Sequence, residues 1–150
     1  MASVKHTASF EIGQSIQDTF PLFSAEGEKL WVPGWEYENV MGSTDLREDY
    51  VFVTKSHDHA AADAIWVVKK HEPEKYLVQF YRVEPSEKVG IIEVKCFSES
   101  DFKTKVRVTY EYVGLSASGN EFILEFSPSR YEAFISEWRT LLQNYFAEKG

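Results

Sequence analysis

From residue 128 to residue 148 the apolar side chains fall at Tyr131, Phe134, Ile135, Trp138, Leu141, Leu142, Tyr145 and Phe146, stepping by three and four without interruption. That period lines them up along one stripe of an α-helix. Ser127-Pro128 supplies an N-cap and a proline at the first helical position, so a helix is predicted over 128–148. At 1.5 Å per residue it is about 31 Å long, close to the roughly 30 Å of a nine- or ten-residue strand. A helix of this length traverses a whole sheet, and its apolar stripe requires one.

The sheet is legible upstream. Val4, His6, Ala8, Phe10 and Ile12 alternate with Lys5, Thr7, Ser9 and Glu11, which predicts a half-buried first strand. Ser15 caps a short helix that Pro21 ends, and Ser24 caps a second, with Glu26 and Glu28 near its start. Val32-Pro33-Gly34-Trp35 places proline and glycine at the centre of a type II turn. Strands are then expected at 36–41, 49–55, 63–71, 75–84 and 88–98, separated by turn clusters such as Glu84-Pro85-Ser86. The cleanest alternation runs from Lys103 to Val113, with Thr104, Val106, Val108, Tyr110 and Tyr112 on the dry face. Ser118 and Glu121 read as a capping box for one more helix before the last.

No linker, repeat or low-complexity run interrupts this order, and 150 residues is the size of one domain, predicted to span 1–150. The fold class is α+β: a curved antiparallel sheet wrapped around a long C-terminal helix, with two short helices after the first strand. Six or seven strands about 4.8 Å apart make a sheet some 30 Å wide, whereas one helix covers only about 10–12 Å. The sheet must curl, and the space left over must hold large side chains, the short helices, or a guest. The chain carries 4 Trp, 8 Tyr and 11 Phe, enough to wall that space. Phe52, Trp66, Tyr110, Tyr112, Tyr131, Phe134 and Trp138 are predicted to point inward. They either fill the space as core or line a ligand cavity.

Charge narrows the partners. With 24 acidic against 16 basic side chains the net charge is -8, which repels phosphate backbones, so nucleic acid is not expected. A single cysteine, Cys96, rules out an internal disulfide, and its phase with Ile92 and Val94 makes it a small buried hydrophobe. Residues 1–10 lack a basic stretch followed by an apolar one, and no apolar run is long enough to span a bilayer. A cytoplasmic protein without membrane insertion is expected.

Three side chains are catalytic candidates. Glu28 stands beside the apolar Trp31–Trp35 stretch, which suits a carboxyl of raised pKa and proton transfer; alternatively it stabilises a helix start or pairs with a nearby Lys or Arg. His57 and His59 project to one side of an extended segment, as acid–base groups at a pocket mouth or as part of a solvated loop. Asp63 follows four residues on, but spacing identifies no further ligand, so no metal is expected. His6 reads as a satisfied core histidine or a cavity contact. No hydrolase triad order, phosphate loop or dinucleotide fingerprint is present, and no cofactor is expected.

Phe20-Pro21-Leu22-Phe23-Ser24, Gly27-Glu28-Lys29-Leu30-Trp31-Val32-Pro33-Gly34-Trp35, Ile65-Trp66-Val67-Val68, Val108-Thr109-Tyr110 and Leu115-Ser116-x-x-Gly119-Asn120 occur in that order. Together they resemble a subgroup of the SRPBCC superfamily to which no single activity attaches. The resemblance covers about residues 16–146. It implies the helix-grip fold of START and Bet v 1-like proteins, with a hydrophobic cavity between sheet and C-terminal helix. The superfamily's activities differ widely, and the glycine-rich loop of the Bet v 1-like plant proteins has no counterpart here. The expected function is binding of a hydrophobic or aromatic small molecule, lipid-like or polyketide-like. The alternatives are a cyclase or dehydratase acting on such a ligand through Glu28 or a histidine of 57–59, and a protein-interaction module resembling the heat-shock protein 90 activator domain.

Overall fold

A computed structural model describes residues 2–55 and 63–149. His57 and His59 lie outside the described residues. The elements follow in the order β1 (Ser3–Ile12), α1 (Ile16–Thr19), a 3-10 turn (Phe20–Leu22), α2 (Ala25–Glu28), β2 (Tyr37–Glu38) and β3 (Val51–Thr54). There follow β4 (Ala64–Glu72), β5 (Leu77–Glu84), β6 (Lys88–Ser100), β7 (Lys103–Gly114), α3 (Ala117–Glu125) and α4 (Pro128–Lys149). A further short 3-10 turn at Pro73–Lys75 joins β4 to β5.

The strands form one antiparallel sheet of seven in the order β1-β7-β6-β5-β4-β3-β2. The meander from β2 to β7 is completed by β1, which pairs along its whole length with β7, Ser3 opposite Val113 and Ile12 opposite Thr104. The predicted α+β helix-grip architecture is therefore the observed one. In β7 Val106, Val108, Tyr110 and Tyr112 are buried, as their alternation requires.

α4 is fixed against the sheet through the predicted stripe. Tyr131, Ile135 and Leu142 are buried, and the Tyr131 hydroxyl donates to the Val108 carbonyl oxygen at 2.5 Å. Ser127 caps the helix as expected, its Oγ accepting from the Arg130 amide at 3.2 Å. The caps of the two short helices also form: Ser15 Oγ accepts from the Asp18 amide at 3.2 Å and Ser24 Oγ from the Gly27 amide at 2.9 Å.

Some boundaries differ from expectation. The strand expected at 36–41 pairs only at Tyr37 and Glu38, because the chain turns away at Gly42 (φ 71°) and leaves Val40 and Met41 exposed. The 49–55 strand shortens to Val51–Thr54, since Asp49 takes a left-handed backbone (φ 68°). The cap of α3 is Ser116 rather than Ser118: Ser116 Oγ accepts from the Gly119 amide at 3.2 Å, while Ser118 hydrogen-bonds Glu87. The helix starts early because Leu115 is already tied to the Glu87 carbonyl, at 2.8 Å, as β7 ends.

Candidate functional site

The space between sheet and α4 is not filled. A cavity of about 540 Å³ remains, and all four tryptophans, Trp31, Trp35, Trp66 and Trp138, stand in its wall. The concave face of the sheet carries two transverse rows of paired residues, of which Trp66, Arg82, Tyr110 and Tyr112 border the cavity. One runs Phe52, Trp66, Arg82, Gly90, Tyr112 across β3 to β7. The other runs Val68, Phe80, Ile92, Tyr110, His6 from β4 to β1. Directly paired residues share a face, so the side chains of each row lie together on the concave side.

Of the residues predicted to point inward, Trp66, Tyr110, Tyr112, Phe134 and Trp138 line the cavity. Phe52 and Tyr131 stand behind the wall, each 1% exposed. Phe52 stacks on Trp66 with ring centroids 5.4 Å apart. Tyr131 packs against Tyr110 at 5.9 Å and is committed to Val108. Both support lining side chains rather than facing the space themselves.

The opposite wall comes from the segment after α2. The Val32-Pro33-Gly34-Trp35 turn forms as expected, with Gly34 at φ 71° and the Trp35 amide bonded to the Val32 carbonyl at 3.2 Å. Trp31 and Trp35 fold back over α2, their indole N–H groups donating to the Leu22 carbonyl at 2.8 Å and the Ala25 carbonyl at 2.9 Å. Trp66 is held likewise, its N–H donating to Thr54 Oγ1 at 2.9 Å. With those donors satisfied by protein, the three indoles offer the cavity mainly apolar surface. Among the lining residues Pro33, Gly34, Glu36, Lys55, Phe134 and Glu137 remain solvent-exposed, which puts the opening between residues 33–36 and α4.

Glu28 enters this space from α2. It sits there because Gly27 lies hard against the preceding turn: a Cβ at Gly27 would stand 2.4 Å from the Pro21 carbonyl oxygen. The pairing that the sequence allowed for Glu28 is made by Glu26 instead, to Lys29 at 2.8 Å and to the Tyr37 hydroxyl at 2.5 Å. The Glu28 carboxyl has no hydrogen bond or ion pair among the described residues. Its side chain is half-buried by surface area because it borders the cavity, yet protein surrounds it closely. Burial away from bulk water pushes its pKa up to about 8. It is therefore mostly an uncharged acid at neutral pH.

Two phenols and a guanidinium also line the cavity. Burial, with Tyr112 and Glu28 nearby, holds the Tyr110 phenol well above its ordinary value. Burial pushes Tyr112 up to about 12, opposed by the Arg82 guanidinium beside it. Arg82 donates from Nη1 to Glu84 Oε2 at 3.0 Å and lies over the Trp66 ring, its Cζ 5.4 Å from the centroid. Arg82 is not among the sequence candidates, although it is in phase with Val78 and Phe80 on a strand face that begins apolar. That break in the pattern was the available signal.

His6 stays outside the cavity wall, its Nε2 2.7 Å from the Phe126 carbonyl oxygen, as a satisfied core histidine. Cys96 is buried and its thiol is pushed up to about 12 by burial, so it is no nucleophile. Among the described residues no cluster of three or more His, Cys, Asp or Glu is placed to hold a metal ion. No helix of the described residues is long and apolar enough to cross a membrane.

No family model and no curated protein matches the chain. Solved structures do. Norcoclaurine synthase from Thalictrum flavum, in complex with dopamine and hydroxybenzaldehyde, superposes with a TM-score of 0.70 at 10% identity, covering 99% of this chain and 89% of that one. The Ara h 8.0201 structure gives 0.66 at 8% identity over 96% of this chain and 95% of that one. The Zhui aromatase/cyclase from Streptomyces sp. R1128 gives 0.61 at 13% identity over 96% and 91%. Identities this low establish shape rather than activity. The chain has the Bet v 1-like helix-grip fold that these structures share.

Proposed function

We propose that this protein binds a hydrophobic or aromatic small molecule in the cavity between its sheet and α4. The observation that carries the reading is the cavity of about 540 Å³ walled by four tryptophans. That volume lies within the range of small-molecule sites, and an apolar wall with a few inward polar groups is their usual composition. Structures of the same fold include one holding dopamine and hydroxybenzaldehyde, which supports an aromatic guest. Trp31, 5% exposed, faces inward, and the two most exposed apolar side chains among the described residues, Phe102 in the β6–β7 turn and Leu124 on α3, belong to different elements, which gives the interaction-module reading little support.

The test is quenching of tryptophan fluorescence by a panel of lipids, flavonoid-like and polyketide-like compounds, with N-phenyl-1-naphthylamine as a neutral aromatic probe. Saturable quenching at one-to-one stoichiometry is expected. No saturable binding across the panel would overturn the reading.

One observation favours a second reading, a cyclase or dehydratase: an unpaired carboxyl of raised pKa facing the guest. Such a group exchanges a proton with a bound ligand near neutral pH. On this reading Glu28→Gln retains binding and lowers turnover of a polyketide-like substrate by about a hundredfold or more. Unchanged turnover in that variant would remove Glu28 from the chemistry.

A further inference from the structure

The concave face of a sheet that grips a helix is ordinarily apolar, yet at one end of this one three charged residues occupy it in succession. Arg82 and Glu84 continue the inward phase of Val78 and Phe80, and Lys88 continues that of Gly90, Ile92, Val94 and Cys96. Glu84 and Lys88 are directly paired across β5 and β6. A single carboxylate oxygen, Glu84 Oε2, serves both cations, at 3.0 Å from Arg82 Nη1 and 3.1 Å from Lys88 Nζ. The two cations are not equivalent. Lys88 is turned away from the cavity, its side chain 7% exposed and its Nζ 4.0 Å from the Phe122 ring centroid. Arg82 lines the cavity.

Two positive charges against one negative leave this end with a surplus positive charge, on an Arg82 side chain 29% exposed at the cavity wall and a Lys88 side chain 7% exposed behind it. The other charged groups do not cancel it. Glu28, facing across from α2, is mostly uncharged at neutral pH. Lys55 is occupied by Glu38 at 2.8 Å and Asp63 at 3.3 Å, and Glu36 and Glu137 are exposed at the opening. The guanidinium has five N–H donors; Glu84 takes one from Nη1 and the Tyr112 hydroxyl stands within hydrogen-bonding reach, which leaves donors for a guest. Its planar fork suits two parallel bonds to a carboxylate or sulfonate; with Arg82 over one face of Trp66 and Phe52 stacked on the other, Trp66 borders the rest of such a molecule with its ring edge.

We infer that the cavity takes aromatic anions, with the carboxylate or sulfonate held by Arg82 and the ring system lying among Trp66, Tyr110 and Trp138. This deepens the small-molecule reading and rests on it. Glu84 and Lys88 are positioning residues in this arrangement: they fix the guanidinium without touching the guest.

The experiment compares two fluorescent probes that differ only by an anionic group, 8-anilino-1-naphthalenesulfonate and N-phenyl-1-naphthylamine, on wild type, Arg82→Gln and Arg82→Lys. Far-UV circular dichroism checks that each variant is folded. Arg82→Gln is expected to weaken the sulfonate probe by about tenfold to a hundredfold, the loss of one charge-assisted pair, and to change the neutral probe by less than about threefold. Arg82→Lys, which keeps the charge and loses the fork, is expected to fall between wild type and Arg82→Gln for the sulfonate and to leave the neutral probe unchanged. If Arg82→Gln does not fold, Arg82→Lys alone decides by weakening the sulfonate probe and not the neutral one. Equal effects on both probes, or none on the sulfonate, would overturn the assignment of the anion to Arg82 while leaving the cavity a binding site. Failure of both probes on wild type would instead overturn the small-molecule reading.

Discussion

Glu28 is the residue whose physics departs furthest from its ordinary state. An acid whose pKa rises from 4.5 unfolded to about 8 folded keeps its proton more firmly in the native state. The native state then binds more protons than the unfolded one between those values, and stability falls as pH rises. This contribution is whole below about pH 4.5, declines through neutrality and is gone above about 8. The difference corresponds to at most about 5 kcal/mol, and water within the cavity reduces it. Glu28→Gln removes the dependence. Its melting temperature relative to wild type should be higher at pH 9 than at pH 5, by about 5 °C or more. A difference that does not vary with pH would show that the carboxyl is solvated as usual. The sequence marked Glu28 as a candidate through its apolar neighbours, but could not choose between Glu26 and Glu28 as the one that pairs with Lys29. That choice depends on which way a single helical turn faces, and four residues carry too little periodicity to fix it. Arg82 was harder to find because charge ordinarily marks the wet face of a strand, so its phase with Val78 and Phe80 was outweighed by its type.

At the scale of elements, α2 matters beyond its four residues, since it delivers both Glu28 and the turn that carries Trp31 and Trp35. Its seat on the 3-10 turn depends on Gly27. Gly27→Ala forces a methyl to within 2.4 Å of the Pro21 carbonyl oxygen and within 2.7 Å of the Leu22 backbone, neither of which can rotate away. A destabilisation of about 1–3 kcal/mol in urea unfolding is expected, together with weaker binding of the neutral probe as the cavity wall shifts. Gly34→Ala is the control: nothing lies within 4 Å of its added methyl, so only the left-handed backbone (φ +71°) opposes it, at about 1 kcal/mol. Equal midpoints for wild type and Gly27→Ala would contradict the seating of α2. The long elements were legible because β7 and α4 repeat their periods many times. β2 was not, because a two-residue strand is defined by its partner's reach rather than by its own pattern. The α3 cap was displaced by two residues for a related reason: Ser118 fits the local capping box, but the Glu87 contacts that fix where the helix starts come from another strand turn.

At the scale of the molecule, the balance between one helix and seven strands decides the account. Counting strand widths against a helix diameter left two outcomes open, aromatic side chains filling the curl or lining a hollow within it. In the structure Phe52 and Tyr131 stand behind the wall and the four indoles border the hollow, a division that depends on the position of each ring and not on the number of aromatics. The tryptophans therefore report directly on the interior. The most direct measurement is a ¹⁵N–¹H correlation spectrum of the protein titrated with N-phenyl-1-naphthylamine. The account predicts that the indole N–H signals of Trp31, Trp35, Trp66 and Trp138 shift together with one saturation curve, while amides on the outer face of β1 and β7, such as Lys5 and Lys105, stay in place. Shifts confined to outer-face amides, with all four indole signals unmoved, would contradict it.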